Sequence, residues 1–76
     1  MDDVQMVTKA YEMRQIIEKE TVAVSEGDIK IVIGGDLKIR EMSYNTSTPD
    51  QVKNAVNSAI RKAQEMQVLK MKELMV

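Results

Sequence analysis

Apolar and polar positions change their period at Thr48-Pro49. Upstream, the run GDIKIVIGGDLKI from Gly27 to Ile39 alternates apolar and polar residues at every second position. Downstream, PDQVKNAVNSAIRKAQEM from Pro49 to Met66 repeats its apolar residues every three or four. The first pattern is that of half-buried strands and the second that of an amphipathic helix. The first twenty residues also repeat at helical spacing. The chain is therefore expected to be a single α+β domain over residues 1–76: a helix, a three-stranded antiparallel sheet and a long C-terminal helix.

The first helix is expected to start at the N-cap Asp2, with Gln5 in capping-box position. Met6, Ala10, Met13 and Ile17 follow on one stripe, with Glu12, Gln15 and Lys19 behind it. Methionines at this spacing are read as core rather than as a binding groove. TVAVS from Thr21 to Ser25 suggests the first strand, ending in the turn residues Ser25-Glu26-Gly27-Asp28. In the second strand Ile29, Ile31 and Ile33 share a face opposite Lys30 and Val32, and Gly34-Gly35-Asp36 follows as a hairpin turn. That glycine pair joins two strands and opens no helix, so it is read as a turn and not as a phosphate loop. The third strand keeps the alternation at Leu37 and Ile39, whereas Met42 and Tyr44 fall out of phase. A β-bulge near Arg40-Glu41 would restore the register.

The long helix has a well-specified start, with Thr48 as N-cap, Pro49 in the first turn and Gln51 completing a capping box. Its apolar stripe is expected at Val52, Val56, Ala59, Ala63 and Met66, flanked by Ala55 and Ile60. Beyond Met66 the stripe breaks, because Lys70 projects at the angle of Val52. A helix reaching Met75 would be about 40 Å long, against a sheet about 20 Å long. The overhang would expose Val68, Leu69, Met71, Leu74 and Met75, which are therefore candidate dimer-interface residues.

Composition narrows the chemistry. At 76 residues with no Phe or Trp, the core of one copy is thin, and a partner subunit is expected. The chain has no cysteine and no histidine, which removes disulfides, thiolate nucleophiles and the commonest general base and metal ligands. No enzyme, metal, cofactor or small-molecule substrate is expected. No apolar run approaches a membrane span, and the acidic start MDDVQ lacks a basic signal-peptide region. A cytoplasmic protein without a membrane partner is expected.

The net charge of −1 does not suggest nucleic acid, but its distribution is uneven. Residues 1–20 carry five acidic against three basic side chains, and residues 49–76 carry five basic against three acidic ones. Read physically, this asymmetry is what two solvated helix faces would show.

The motifs in order resemble the YbaB/EbfC family of nucleoid-associated DNA-binding proteins. The middle of that family looks like Gly27, Ile29, Ile31, Ile33, Gly35 and Ile39, and its last helix carries an Ala-x-Asn-x-Ala core matched by Val52, Ala55, Asn57 and Ala59, with Lys62-Ala63 after it. The resemblance spans roughly Met6 to Gln67. Arginine is scarcer than a phosphate-binding surface would favour, with only Arg14, Arg40 and Arg61. The resemblance implies a homodimer whose sheets join and whose helices project as paired arms that hold double-stranded DNA in the nucleoid. On that reading Lys53, Arg61, Lys62, Lys70 and Lys72 of the long helix, with Lys9 and Arg14 of the first, would contact phosphates without reading sequence. The alternative expectation is a non-enzymatic adaptor or dimerisation module whose apolar, Met-containing helix end docks a protein partner.

Overall fold

The computed structural model describes residues 3–75, with side chains from Val7 to Met75. The expected cap at Asp2 and Gln5 and the Met6 position of the first stripe lie outside the described side chains. The element order is α1 (Asp3–Lys19), β1 (Thr21–Glu26), β2 (Ile29–Gly34), β3 (Ile39–Ser43) and α2 (Pro49–Met75). The α-β-β-β-α fold expected from the period change is the one observed. β2 is the central strand of an antiparallel β1-β2-β3 meander.

Two short connections set the register. Between β1 and β2, Glu26 pairs with Ile29, leaving Gly27 and Asp28 as a two-residue hairpin loop. Gly27 has φ of +58°, the left-handed first position that a type II′ hairpin reserves for glycine. Between β2 and β3, the Leu37 N–H donates to the Gly34 carbonyl at 2.9 Å, and the Gly34 N–H donates to the Lys38 carbonyl at 2.9 Å. Leu37, expected in the strand, instead sits in this loop with φ of 65°. Its side chain packs on the core, and that burial offsets a backbone conformation disfavoured for a residue with a Cβ. The bulge lies where the out-of-phase pattern put it: Ile33 faces Ile39 and Val32 faces Glu41, which leaves Arg40 as the additional residue.

The core is an isoleucine face under an alanine stripe. Ile29, Ile31 and Ile33 are buried together with Val24 of β1, and the helix side is supplied by Ala55, Ala59 and Ala63. Val52, Val56 and Ile60 were expected at or beside the centre of the helical stripe, but all three are half-buried and form a row along one side of it. The three alanines let the helix axis approach the isoleucines, and the larger β-branched residues then line one flank of the contact.

α2 packs over β1 and β2. It leaves β3 uncovered, although Ile39 and Met42 stand opposite Ile33 and Ile31 on the core side of the sheet. Both remain more than two-fifths exposed, as does Tyr44 beyond them. The helix starts as the sequence indicates. The Gln51 N–H donates to Thr48 Oγ1 at 3.3 Å, and Gln51 Oε1 accepts the Thr48 N–H at 2.8 Å.

The resulting shape is elongated, 54 × 18 × 15 Å, with a radius of gyration of 15.4 Å. A compact chain of this length would have a radius of about 11 Å. The difference arises because α2 outruns the sheet and α1 lies alongside the overrun. Of the expected α1 stripe, Ile17 is buried, Met13 half-buried and Ala10 exposed. Ala10 therefore departs from the core reading, since the sheet has ended before α1 reaches it.

Candidate nucleic-acid interface

The basic residues singled out by sequence divide into three groups. Lys9, Arg14, Arg61, Lys62 and Lys72 are exposed, and none has an ion-pair partner among the described residues. Lys53 is exposed and stands 4.0 Å from the still more exposed Asp50, a contact too loose and too solvated to hold it. Lys70 differs from the others. It is half-buried, with Nζ 3.3 Å from Glu20 and 3.6 Å from Glu73. The Glu20 contact, as hydrogen bond and as charge, and then Glu73 hold its ammonium above the ordinary value, so it stays charged and neutralised in place. Two carboxylates already occupy it, which leaves little charge for a phosphate.

Helical geometry places the free cations around α2 rather than in a single row. Arg61 and Lys72 are 11 residues apart, which puts them about 16 Å apart along the axis and within about 20° of each other on the outward face. Glu65 lies between them on that face, and Lys62 is turned about 100° away. Lys9 and Arg14 on α1 add charge beside the same end of the molecule, because α1 packs against the C-terminal part of α2.

The apolar residues expected at a subunit interface are also in the open. Val68, Leu69 and Met75 are more than half exposed, Met71 is 46% exposed and Leu74 is half-buried. Met71 also lines a groove of about 530 Å³ between the two helices, with Ala10, Met13 and Ile17 on one wall, Gln67 on the other and Gly35 at its base. Arg14, Glu18 and Asp36 form its rim.

Two polar features position these surfaces and were not foreseen. The first is Asp28, whose carboxylate gathers the loop before α2. It accepts the backbone N–H groups of Asn45 at 2.9 Å and Thr46 at 2.6 Å, and the hydroxyls of Thr46 and Ser47. Hydrogen bonds to the charged form, led by Ser47, lower its pKa from 3.8 to about 2. The second is the junction of α1, the β2–β3 turn and α2. There the Gly35 N–H donates to the Glu20 carbonyl at 2.8 Å, and Gln67 Nε2 donates to the Gly35 carbonyl at 2.5 Å. Asp28 and its donors are 17 to 19 residues apart, so no local spacing marked them. The out-of-pattern Lys70 was the one visible sign of the second feature.

Among the described residues no group of three or more acidic side chains is placed to hold a metal ion, and no helix is long and apolar enough to cross a membrane. No protein-family model and no curated protein matches the chain.

Proposed function

We propose that this protein is a nucleoid-associated, homodimeric binder of double-stranded DNA of the YbaB/EbfC kind, acting through phosphate contacts of low sequence specificity. The observation that carries this reading is the trio Arg61, Lys62 and Lys72, exposed and without ion partners among the described residues, on a helix that overhangs its own sheet. Cations held on a rigid helix meet phosphates with little ordering cost, and a two-fold axis doubles their number. The short Debye length at physiological salt, about 8 Å, makes this local charge matter more than the acidic total. With only Tyr11 and Tyr44 as aromatic residues, stacking on single-stranded bases is a poor alternative. The absence of histidine and cysteine from the sequence leaves few groups for acid–base or thiolate chemistry, which supports a non-enzymatic role.

Self-association is supported by the surface left open. The accessible area is 5802 Å², whereas a monomer of this mass is expected to expose about 4,700 Å². The excess is comparable to the roughly 800 Å² that each partner buries in an ordinary stable interface. Apolar residues lie exposed on the uncovered core face of β3, at Ile39, Met42 and Tyr44, and at the arm end, at Val68, Leu69, Met71 and Met75. Joining sheets through β3 fits the family resemblance and extends the three-stranded sheet through one of its two edge strands.

The apolar groove between the helices favours a second reading, an adaptor module whose Met-lined arm end docks a protein partner. A salt titration of binding to two unrelated duplexes separates the two. Phosphate contacts give a linear fall of log K with log salt and equal affinity for both sequences. No binding at low salt would overturn the DNA reading in favour of the adaptor.

A further inference from the structure

Among the described side chains of α1, burial is greatest at its C-terminal end. Its deepest side chain is Ile17, and going back along the helix Met13 is half-buried while Ala10 and Val7 are exposed. Between this stretch and Met71 of α2 lies the open groove of about 530 Å³. Packing of apolar side chains therefore does not fill the space that would otherwise hold the two helices at a set angle.

The C-terminal end of α1 meets a polar junction. Gly35 lets the backbones meet, since a Cβ at that position would fall on the Ile17 carbonyl. Three ties then converge within one turn: Gly35 N–H to the Glu20 carbonyl at 2.8 Å, Gln67 Nε2 to the Gly35 carbonyl at 2.5 Å, and Lys70 Nζ to Glu20 Oε1 at 3.3 Å. Gln67 and Lys70 are successive inward positions of α2, so both ties come from one helix face. Only the Lys70 tie joins two charged side chains, and it is reinforced from its own helix by Glu73 at 3.6 Å.

We propose that Lys70 and Glu20, seated on the Gln67–Gly35 contact, form a salt-sensitive latch that sets the angle between the two projecting helices. Lys70 is then a positioning residue and not a phosphate contact. Closed, the latch holds Lys9 and Arg14 of α1 at a set distance from Arg61, Lys62 and Lys72 of α2. Released, α1 swings about Lys19-Glu20 and the groove widens. The consequence for DNA rests on the function proposed above, whereas the latch itself does not, and its test needs no nucleic acid.

The protein contains no cysteine, so spin labels placed by Glu12→Cys and Gln64→Cys occupy those two sites alone. Both side chains are exposed, and neither takes part in the junction. Residue 12 is about 12 Å along the helix from Glu20, so a swing of about 20° moves it about 4 Å. Distance distributions are measured by pulsed electron resonance on labelled protein diluted with unlabelled protein, so that pairs within one chain dominate. At low salt the parent is expected to give one narrow distribution. At 1 M salt, where the Debye length falls to about 3 Å, the distribution should broaden or shift. Lys70→Met should show the open distribution at both salt concentrations, and Lys70→Arg should restore the narrow one. A distribution unchanged by salt in the parent would overturn the proposal without any latch substitution, even if Lys70→Met failed to fold. So would a folded Lys70→Met, checked by circular dichroism, that matched the parent.

Discussion

The Asp28 carboxylate accepts the Thr46 backbone N–H at 2.6 Å, joining the β1–β2 turn to the loop that aims α2. The bond closes a gap of 18 residues and, with the Asn45 and Ser47 contacts, fixes the point at which the long helix leaves the sheet. The charged form of Asp28 is the one these donors favour, so its folded pKa lies near 2 against an ordinary 3.8. Its contribution to stability is therefore present above pH 3.8 and is lost as pH falls through about 2. Asp28→Asn should lower the thermal midpoint at neutral pH, and the gap from the parent should close as the solution is acidified across that window. Melting curves from pH 7 to pH 2, followed by circular dichroism, check this.

Gly35 sits where any side chain would collide with the α1 backbone at Ile17. Replacing it by Ala forces the turn and the helix end apart, and overpacking of this kind costs about 1–3 kcal/mol. The loss should be felt first in α1. Hydrogen exchange is expected to show protection falling along α1 before it falls in β2, and equal loss everywhere would contradict this assignment.

Ala59 is fully buried between α2 and the isoleucine face. Ala59→Leu should destabilise the domain by about 1–3 kcal/mol, because the larger side chain has to lift the helix off the sheet. Ala59→Gly should also destabilise it, by about 1 kcal/mol, through loss of helix propensity. Urea denaturation of both variants measures the two effects, and a more stable Leu variant would show that the contact is looser than described.

If the sheets of two copies join through β3, a charge at its uncovered apolar face should prevent it. Met42→Lys is expected to shift the protein from dimer to monomer in sedimentation equilibrium at low micromolar concentration. Its fold should persist, since Met42 is 44% exposed. A parent protein that is already monomeric there would remove the basis of this prediction.

Arg61 points away from the core stripe and Lys62 lies at its margin, and both are exposed, so replacing both with Ala should leave helicity unchanged. Affinity for all duplex sequences should fall to a similar degree, and the salt slope should flatten by about one unit per lost contact. Gel shifts on two unrelated duplexes test this. Undiminished binding would move the contact to Lys9 and Arg14 or to Lys72.

Local pattern was enough for the architecture. The alternation of Ile29, Ile31 and Ile33, the Thr48-Pro49 start with its Gln51 partner, and the phase slip between Ile39 and Met42 each reflect interactions within a few residues or across one strand pair. The same is true of the exposed arm end, which followed from comparing two lengths. Tertiary structure decided what depended on contacts between distant segments. It put the deepest part of the helical stripe at Ala55, Ala59 and Ala63, because the isoleucine face selects for close approach rather than for apolar bulk. It placed Leu37 in a left-handed loop and left β3 without a helix above it. It also gave Asp28 its donors and Lys70 its Glu20 partner across separations of 17 to 19 and 50 residues, respectively, over which no periodicity in the chain carries information.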